Sequence, residues 1–243
     1  LQNGTVSGRL PEGLESVMEL HSDFDKQAIV HAAEQPWVPS PAAGVNRRML
    51  DRVGDEVARA TTIVRFDAGS VFDPHTHGGG EEFLVLEGVF QDEHGDYPAG
   101  TYIRNPPTSR HTPRSDEGCT ILVKLSQFDP DDRTFVVQDM AKTEVFQDSS
   151  RPGVRVRPLF QDSRETVRVE TWSSDEVISL GHSEGAEYFV LSGGFTFEDE
   201  VFKVHSWLRL PAGQKINVIA QQDGATVWCK TGHLAGVSGP VQP

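Results

Sequence analysis

The chain has 243 residues, a formal net charge of -14 and a hydrophobic content of 37%, a composition typical of a globular protein that buries one large or two modest cores. This acidity argues against nucleic acid or an anionic membrane surface as the main partner, because both require a dense positive patch. The sequence has neither an apolar run near the roughly 20 residues that span a bilayer nor an N-terminal signal segment, so we expect a cytoplasmic protein.

Residues 1–35 are predicted to form an N-terminal extension. Its apolar side chains fit either a short helix or an edge strand. In both cases we expect the segment to pack across the lobes that follow. The apolar residues are Leu10, Leu14, Val17, Met18 and Leu20.

The next segment, residues 36–130, carries metal-ligand side chains at a regular spacing. A glycine is followed after five residues by a His-Thr-His triplet, after three more by a glutamate, and after six more by a second glycine. Both histidines of a strand triplet project from one face, and the glycine-rich turn after them returns the glutamate toward the same point. This spacing resembles the complete first motif of the cupin family. The residues are Gly69, His75, His77, Glu81 and Gly88.

The acid of this motif has a rival in the next residue, because the motif tolerates three or four residues between histidine and acid. Glu81 keeps the six-residue spacing to Gly88, whereas Glu82 does not. The two carboxylates lie on opposite faces of the following strand. We therefore favour Glu81 as the ligand and expect Glu82 to be a structural or supporting residue.

A fourth ligand, His111, follows a proline-rich turn and is assigned from its motif position. A lone histidine is more often a solvated or satisfied core residue, but three of the nine histidines and an acid fall together here. His75, His77, Glu81 and His111 therefore predict a site for one divalent metal ion. Imidazole and carboxylate ligands suit zinc, iron, manganese, nickel or cobalt and do not choose among them.

Residues 131–243 repeat the preceding segment. Residues 82–90 return as residues 187–195, and residues 102–104 return as residues 207–209. Each copy consists of short runs rich in Val, Ile, Phe and Thr between Gly, Pro and Asp turns, which is typical of strands. The sequence predicts an all-β bicupin, that is, two tandem antiparallel jelly-roll β-barrels.

The second copy has lost the metal ligands. Aliphatic residues replace two histidines and the acid, so we expect a degenerate lobe without a metal site. An organic ligand in this apolar lobe is an alternative, but core packing explains the replacements more simply, because unpaired buried polar groups are costly. The residues at the positions of His75, His77, Glu81 and His111 are Leu180, His182, Ala186 and Ile216.

Several polar residues persist in both copies although the second copy has lost its ligands. Glu187 corresponds to Glu82, Arg209 to Arg104, and Lys230 to Lys124. A shared role in the fold is more economical for these residues than catalysis, and we assign no catalytic residue. Cys119 and Cys229 fall in apolar runs and are expected to be buried free thiols.

The first lobe resembles the cupin-like domain of the ChrR family, whose members are zinc-dependent anti-sigma factors that respond to singlet oxygen. The likeness covers about residues 36–125, through runs at 75–88, 97–102, 104–107 and 109–111, with a weaker echo in the second lobe. It implies that His75, His77, Glu81 and His111 ligate the metal. Such an anti-sigma factor also needs an N-terminal helical zinc module, which this sequence lacks, so we do not expect a complete one.

Two functions follow from this resemblance and from the metal chemistry. The first is a sensory or regulatory protein that detects an oxidant or small molecule. Close behind it is a non-haem dioxygenase acting on a small chelating substrate such as a diketone or hydroxyketone, because a His and carboxylate site with open positions binds dioxygen and substrate together. A purely structural ion is a third reading. A homodimer is expected, because a partner commonly covers exposed jelly-roll edge strands.

Overall fold

The computed structural model describes residues 18–55 and 57–237. Leu10, Leu14 and Val17 of the predicted extension lie outside the described residues. Within the described part of the chain, no helix is long and apolar enough to cross a membrane. One short 3-10 helix, Ala32–Glu34, accompanies the strands.

The described residues form antiparallel strands almost throughout, as the short runs rich in Val, Ile, Phe and Thr predict. In chain order the strands are β1 (Glu19–Leu20), β2 (Ala28–His31), β3 (Val38–Pro39), β4 (Val45–Val53), β5 (Arg59–Phe66), β6 (Ser70–Val71), β7 (His75–Thr76), β8 (Glu81–Asp92), β9 (Gly95–Pro98), β10 (Thr101–Asn105), β11 (Arg110–His111), β12 (Arg114–Ser115), β13 (Cys119–Leu125), β14 (Val136–Asp139), β15 (Phe146–Gln147), β16 (Val154–Gln161), β17 (Thr166–Trp172), β18 (Val177–Gly181), β19 (Ala186–Phe197), β20 (Glu200–Phe202), β21 (Ser206–Leu210) and β22 (Lys215–Thr231).

The strand order of the two large sheets repeats. The first sheet runs β1-β4-β5-β13-β8-β10-β14, and the second runs β15-β16-β17-β22-β19-β21-β2. Strands β4, β5, β13, β8 and β10 thus have counterparts in β16, β17, β22, β19 and β21. This confirms the all-β double cupin predicted from the sequence.

The edge strand of each sheet comes from the segment that precedes the other lobe. Strand β2 lies before the first lobe in sequence, yet it pairs with β21 of the second lobe. Strand β14 lies before the second lobe and pairs with β10 of the first. Strand β2 of the predicted extension thus completes the sheet of the second lobe, and β14 of the predicted second lobe completes the sheet of the first, so the two lobes exchange edge strands.

Each lobe has an apolar interior, and a third apolar cluster joins them. Phe83, Val85 and Ile121 are buried inside the first lobe, and the second lobe has its own interior cluster. The joining cluster combines residues of both lobes, including Leu84 and Trp228. Alternate residues of β8 thus face the interior of the first lobe and the other lobe, as the two-residue period of a strand requires.

A reciprocal pair of buried ion bridges lies in the same interface. Lys124 of the first lobe donates to Glu187 of the second at 2.6 Å, and Lys230 of the second lobe donates to Glu82 of the first. Burial by itself raises the pKa of Glu82, but Lys230 and Arg104 hold it down to about 2. Removing one partner of such a pair leaves an uncompensated buried charge, which is strongly destabilising.

The arginines shared by the two copies also hold the lobes together. Arg104 donates to Glu165 of the second lobe, and its guanidinium carbon lies 3.7 Å from the ring centre of Phe160. Arg209 donates to Asp51 of the first lobe at 2.9 Å. These contacts account for an arginine at this position in both copies, including the copy that has lost its metal ligands.

Two equivalent glycines let the central strands approach closely. Gly88 and Gly193 have φ angles of +70° and +64°. A Cβ atom at either position would overlap a carbonyl oxygen, that of Gly118 or Gly224 respectively. The glycine spacing used to recognise the motif therefore reflects a steric requirement of the fold. Cys119 and Cys229 are buried and unpaired, as predicted.

Candidate metal centre

A small two-stranded sheet brings two of the histidines together. Strand β7 pairs with β11, and His75 lies opposite His111 in the register. His77 follows at the end of β7, where its backbone N–H donates to the carbonyl of Ser109 at 2.9 Å and its carbonyl accepts from Thr108 N–H at 2.8 Å. Residues about 35 positions apart in sequence are thereby fixed on one face.

His75, His77 and His111 could hold a metal ion, because one ring nitrogen of each lies within 4.8 Å of the others. The Nε2 atoms of His77 and His111 are buried and have no hydrogen-bond partner. A buried polar atom without a partner is costly. These convergent nitrogens fit a divalent cation, which accepts their lone pairs at about 2.0–2.1 Å in the case of zinc.

Glu81 lies at the edge of this group, at the first position of β8. Its Oε2 is 3.5 Å from His77 Nε2 and 3.4 Å from His111 Nε2. The Asn105 side-chain amide donates to the same oxygen at 3.1 Å. Asn105 was part of the proline-rich turn in the sequence, but nothing in its spacing identified it as a partner of the acid.

Asp92 orients His111. Its Oδ2 lies 3.2 Å from His111 Nδ1, and its Oδ1 accepts from the His94 N–H at 2.8 Å and from the Tyr97 hydroxyl at 3.2 Å. Burial alone raises the pKa of Asp92, but the hydrogen bonds from His111 and His94 lower it below its usual value. An ionised Asp92 keeps a proton on Nδ1 and leaves Nε2 of His111 available for a metal.

The other two rings differ in their surroundings. His75 is half-buried, and its Nδ1 lies 2.9 Å from the Asp73 carbonyl, which again leaves Nε2 free. Burial lowers the pKa of His77, so its ring is neutral at neutral pH, as metal ligation requires.

Glu82 faces away from this group. It accepts from the Tyr102 hydroxyl at 2.7 Å and from Lys230, both in the interface between the lobes. The structure thus separates the two adjacent carboxylates as strand alternation predicts. Lys124, Lys230, Arg104 and Arg209 contact the same interface and none of the three histidines.

The second lobe keeps the geometry but not the ligands. Leu180 lies opposite Ile216, at the places where His75 lies opposite His111. Leu180 and Ala186 are buried in the apolar interior, and His182 accepts a hydrogen bond from Glu184 N–H at 3.1 Å. Among the described residues, the histidine group of the first lobe is the one that could hold a metal.

A cavity of about 590 Å³ opens beside the first-lobe group. This volume lies in the roughly 300–1,000 Å³ range of small-molecule sites. Both His75 and Glu81 contribute to its wall, which is otherwise mainly apolar. The lining residues include Ala42, Val45, Arg47, Arg52, Val64, Phe66, Phe72, Asp73, Phe90, Pro113, Ile121, Val123 and Leu125. No short stretch of the sequence indicates this cavity, because its wall is built from six strands and from the loops at 40–43, 72–73 and 113.

Comparison with solved structures shows the fold. The chain is similar to a proposed dioxygenase from Nostoc punctiforme (14% identity, TM-score 0.68, covering 93% of this chain and 87% of that one). It is also similar to the E. coli pirin YhhW in complex with nickel(II) (16%, 0.60, 89% and 100%), and to a variant of oxalate decarboxylase from B. subtilis (11%, 0.56, 87% and 78%). At these identities the likeness extends to the fold alone.

Comparison with curated proteins finds no match. The family model of the ChrR cupin-like domain matches twice, over residues 25–129 and 134–235. The two matches cover most of the chain and include the exchanged strands β2 and β14. The chain therefore belongs to the family of ChrR cupin-like domains, and it carries two copies of that domain.

Proposed function

We propose that the first lobe binds one divalent metal ion through His75, His77, Glu81 and His111, and that the protein is a non-haem dioxygenase of a small chelating substrate such as a diketone or hydroxyketone. The observation that carries this proposal is the cavity of about 590 Å³, whose wall includes both His75 and Glu81. A metal with a purely structural role has a closed coordination shell, whereas a catalytic metal needs open positions that substrate can reach.

The metal would supply the redox and Lewis-acid chemistry of the reaction when it is bound. A dioxygenase cleaves a carbon–carbon bond of its substrate with both atoms of dioxygen entering the products, so no separate reductant is needed. Three neutral imidazoles and one carboxylate suit iron, manganese, nickel or cobalt.

The residues of the chain would position the reactants and exclude water. Asp92 holds the Nδ1 proton of His111, and Asn105 fixes the Glu81 carboxylate by donating to Oε2. Phe66, Phe90 and other apolar side chains of the cavity wall would pack against the carbon skeleton of the substrate. Since a bound metal would itself supply the activation of the substrate, no side chain of the cavity wall is assigned as a nucleophile.

The first test counts and identifies the metal in untagged protein purified without added metal. We expect about one ion per chain in the wild type and a loss of that ion in His111→Ala. His182→Ala is the matched control, because His182 corresponds to His77 in the degenerate lobe, and it should keep the metal. No metal in the wild type, or equal metal in His111→Ala, would refute the site.

The second test measures oxygen consumption by iron-loaded protein with acetylacetone and a panel of hydroxyacetophenones. We expect uptake that is lost in His111→Ala and kept in His182→Ala. Uptake that persists at the same rate in His111→Ala would arise from free iron and would contradict the dioxygenase.

A sensory or regulatory role is the second candidate, and membership of the ChrR cupin-like family supports it. A sensor holds its metal without turnover, so this reading predicts one zinc per chain and no oxygen uptake across the panel. Oxidant treatment should then release the zinc or change the fluorescence of the tryptophans near the lobe interface. If zinc is found, oxygen uptake is measured again after the protein is reloaded with iron, which tests whether zinc had displaced a catalytic ion.

A further inference from the structure

One charged side chain in the cavity wall lies among apolar neighbours. Val45 and Arg47 are alternate residues of β4, so they project from the same face of the strand, and both line the cavity. Their cross-strand partners on β5 are Phe66 and Val64, which line it as well. The guanidinium of Arg47 is therefore presented to the cavity from an apolar surface.

Arg47 also lacks the partners that neighbouring arginines have. Its Nε is buried without a hydrogen-bond partner, and no ion pair joins it to a carboxylate of residues 18–55 or 57–237. The Nε atoms of Arg48 and Arg65 lack a hydrogen-bond partner as well, but both guanidinium groups stack over the Trp37 ring, at 4.3 and 4.4 Å. Arg47 is half-buried, and a partly desolvated cation without a counter-charge favours binding of an anion.

The other charged side chains of the cavity wall would not prevent an anion from pairing with Arg47. Arg52 donates to the carbonyls of Gly54 and Asp55, so its donors serve the neighbouring loop. Asp73 is exposed to solvent. Glu81 lies beside His77 and His111, where a divalent ion would more than offset its single charge.

We propose that the cavity binds a small organic carboxylate, with its charged end paired to Arg47 and its apolar body packed against the wall around Val64 and Phe66. Among the chelating substrates of the proposed function, Arg47 would then favour those that carry a carboxylate over neutral molecules of the same shape, because a planar guanidinium binds a carboxylate through two parallel hydrogen bonds. Binding of another oxygen atom of the same acid to the metal is a separate step, and it rests on the proposed function.

The experiment compares phenylglyoxylate with its methyl ester, which have the same skeleton and the same keto oxygen but differ in charge. Binding is measured by calorimetry on zinc-loaded protein, because zinc has no redox chemistry and allows no turnover. We expect the acid to bind the wild type at least about tenfold more tightly than the ester, as one charge-assisted pair supplies. Arg47→Met should abolish this preference, and Arg47→Lys should restore part of it.

Arg48→Met is the matched control, because Arg48 is adjacent in sequence but stacks on Trp37, and it should keep the wild-type preference. Thermal melting of each variant verifies that it is folded. Equal affinity for acid and ester, no binding of either, or a preference that survives in Arg47→Met would overturn the inference. An Arg47-dependent preference in protein that binds no metal would support it while refuting the proposed metal site.

Discussion

At the scale of single residues, the environment of His111 determines which ring nitrogen a metal meets. The ring is buried between Asp92 on the Nδ1 side and the histidine group on the Nε2 side. Burial alone would lower the pKa of His111, but the hydrogen bond to Asp92 and the charges of Glu81 and Asp92 raise it above its ordinary value. A more basic imidazole with a fixed tautomer is a stronger ligand once it is deprotonated at Nε2.

Replacing Asp92 should therefore weaken metal binding although Asp92 is no ligand. We expect Asp92→Asn to lower the metal affinity by roughly 10–100-fold, measured by competition with a chelator of known affinity. Asp116→Asn, which removes an exposed carboxylate paired with Arg114 at 2.8 Å, is the control and should match the wild type. Equal affinities in all three proteins would show that Asp92 does not orient the ligand.

At the scale of elements, strand β8 directs two adjacent carboxylates into two different environments. Glu81 faces the histidines and the cavity, whereas Glu82 faces the second lobe, where Lys230 and Tyr102 donate to it. The same strand alternation sends Phe83 into the first lobe and Leu84 into the interface. A shift of β8 by one residue would exchange these roles, so the register of this strand controls both the candidate metal site and the contact between lobes.

Neutralising each acid separately should give opposite results. We expect Glu81→Gln to weaken metal binding and to change the free energy of unfolding of the metal-free protein little. Glu82→Gln should keep the metal but lower that free energy by about 3–5 kcal/mol, because it leaves buried cations without a counter-charge. Chelator competition and urea unfolding test both variants. Loss of metal in a stable Glu82→Gln protein would reverse the assignment.

The sequence predicted the parts of this arrangement that depend on short spacing. The histidine triplet, the acid after a glycine turn and the repeat of residues 82–90 all lie within one or two strands, where periodicity fixes the face of each side chain. The N-terminal segment was expected to pack across the lobes as a helix or an edge strand, and β2 does so as an edge strand of the second lobe. The matching role of β14 was not predicted, because a four-residue strand carries little information about its distant partner. The contact between Asp92 and His111 was missed for the same reason, since the two residues lie on different strands.

At the scale of the whole molecule, the two lobes share one continuous interface. An apolar cluster, exchanged edge strands and reciprocal ion bridges all cross it. Trp172, Trp207 and Trp228 all belong to the second lobe and are almost fully buried. Three of the four tryptophans therefore report on the second lobe, and the fourth, Trp37, lies in the first-lobe segment.

Metal binding in the first lobe should stabilise the second. We expect metal at about 1,000 times its Kd to add about 4 kcal/mol to the free energy of unfolding and to raise the unfolding midpoint reported by tryptophan fluorescence, in a single transition. His111→Ala should show no such shift. If the tryptophan midpoint of the wild type stayed constant while the first lobe was stabilised, the lobes would unfold independently.

The reciprocal lysines also have a consequence for the history of the chain. Lys124 neutralises Glu187, and its counterpart Lys230 neutralises Glu82, the counterpart of Glu187. Each copy therefore contributes the equivalent lysine and the equivalent glutamate to the interface. This is the contact rule of a two-fold symmetric homodimer, here contained within one polypeptide. An ancestor with a single cupin domain could have assembled through the same surface before its gene was duplicated and fused. After such a fusion only one copy needs to keep the metal ligands, and the other copy continues to serve as its partner in the interface.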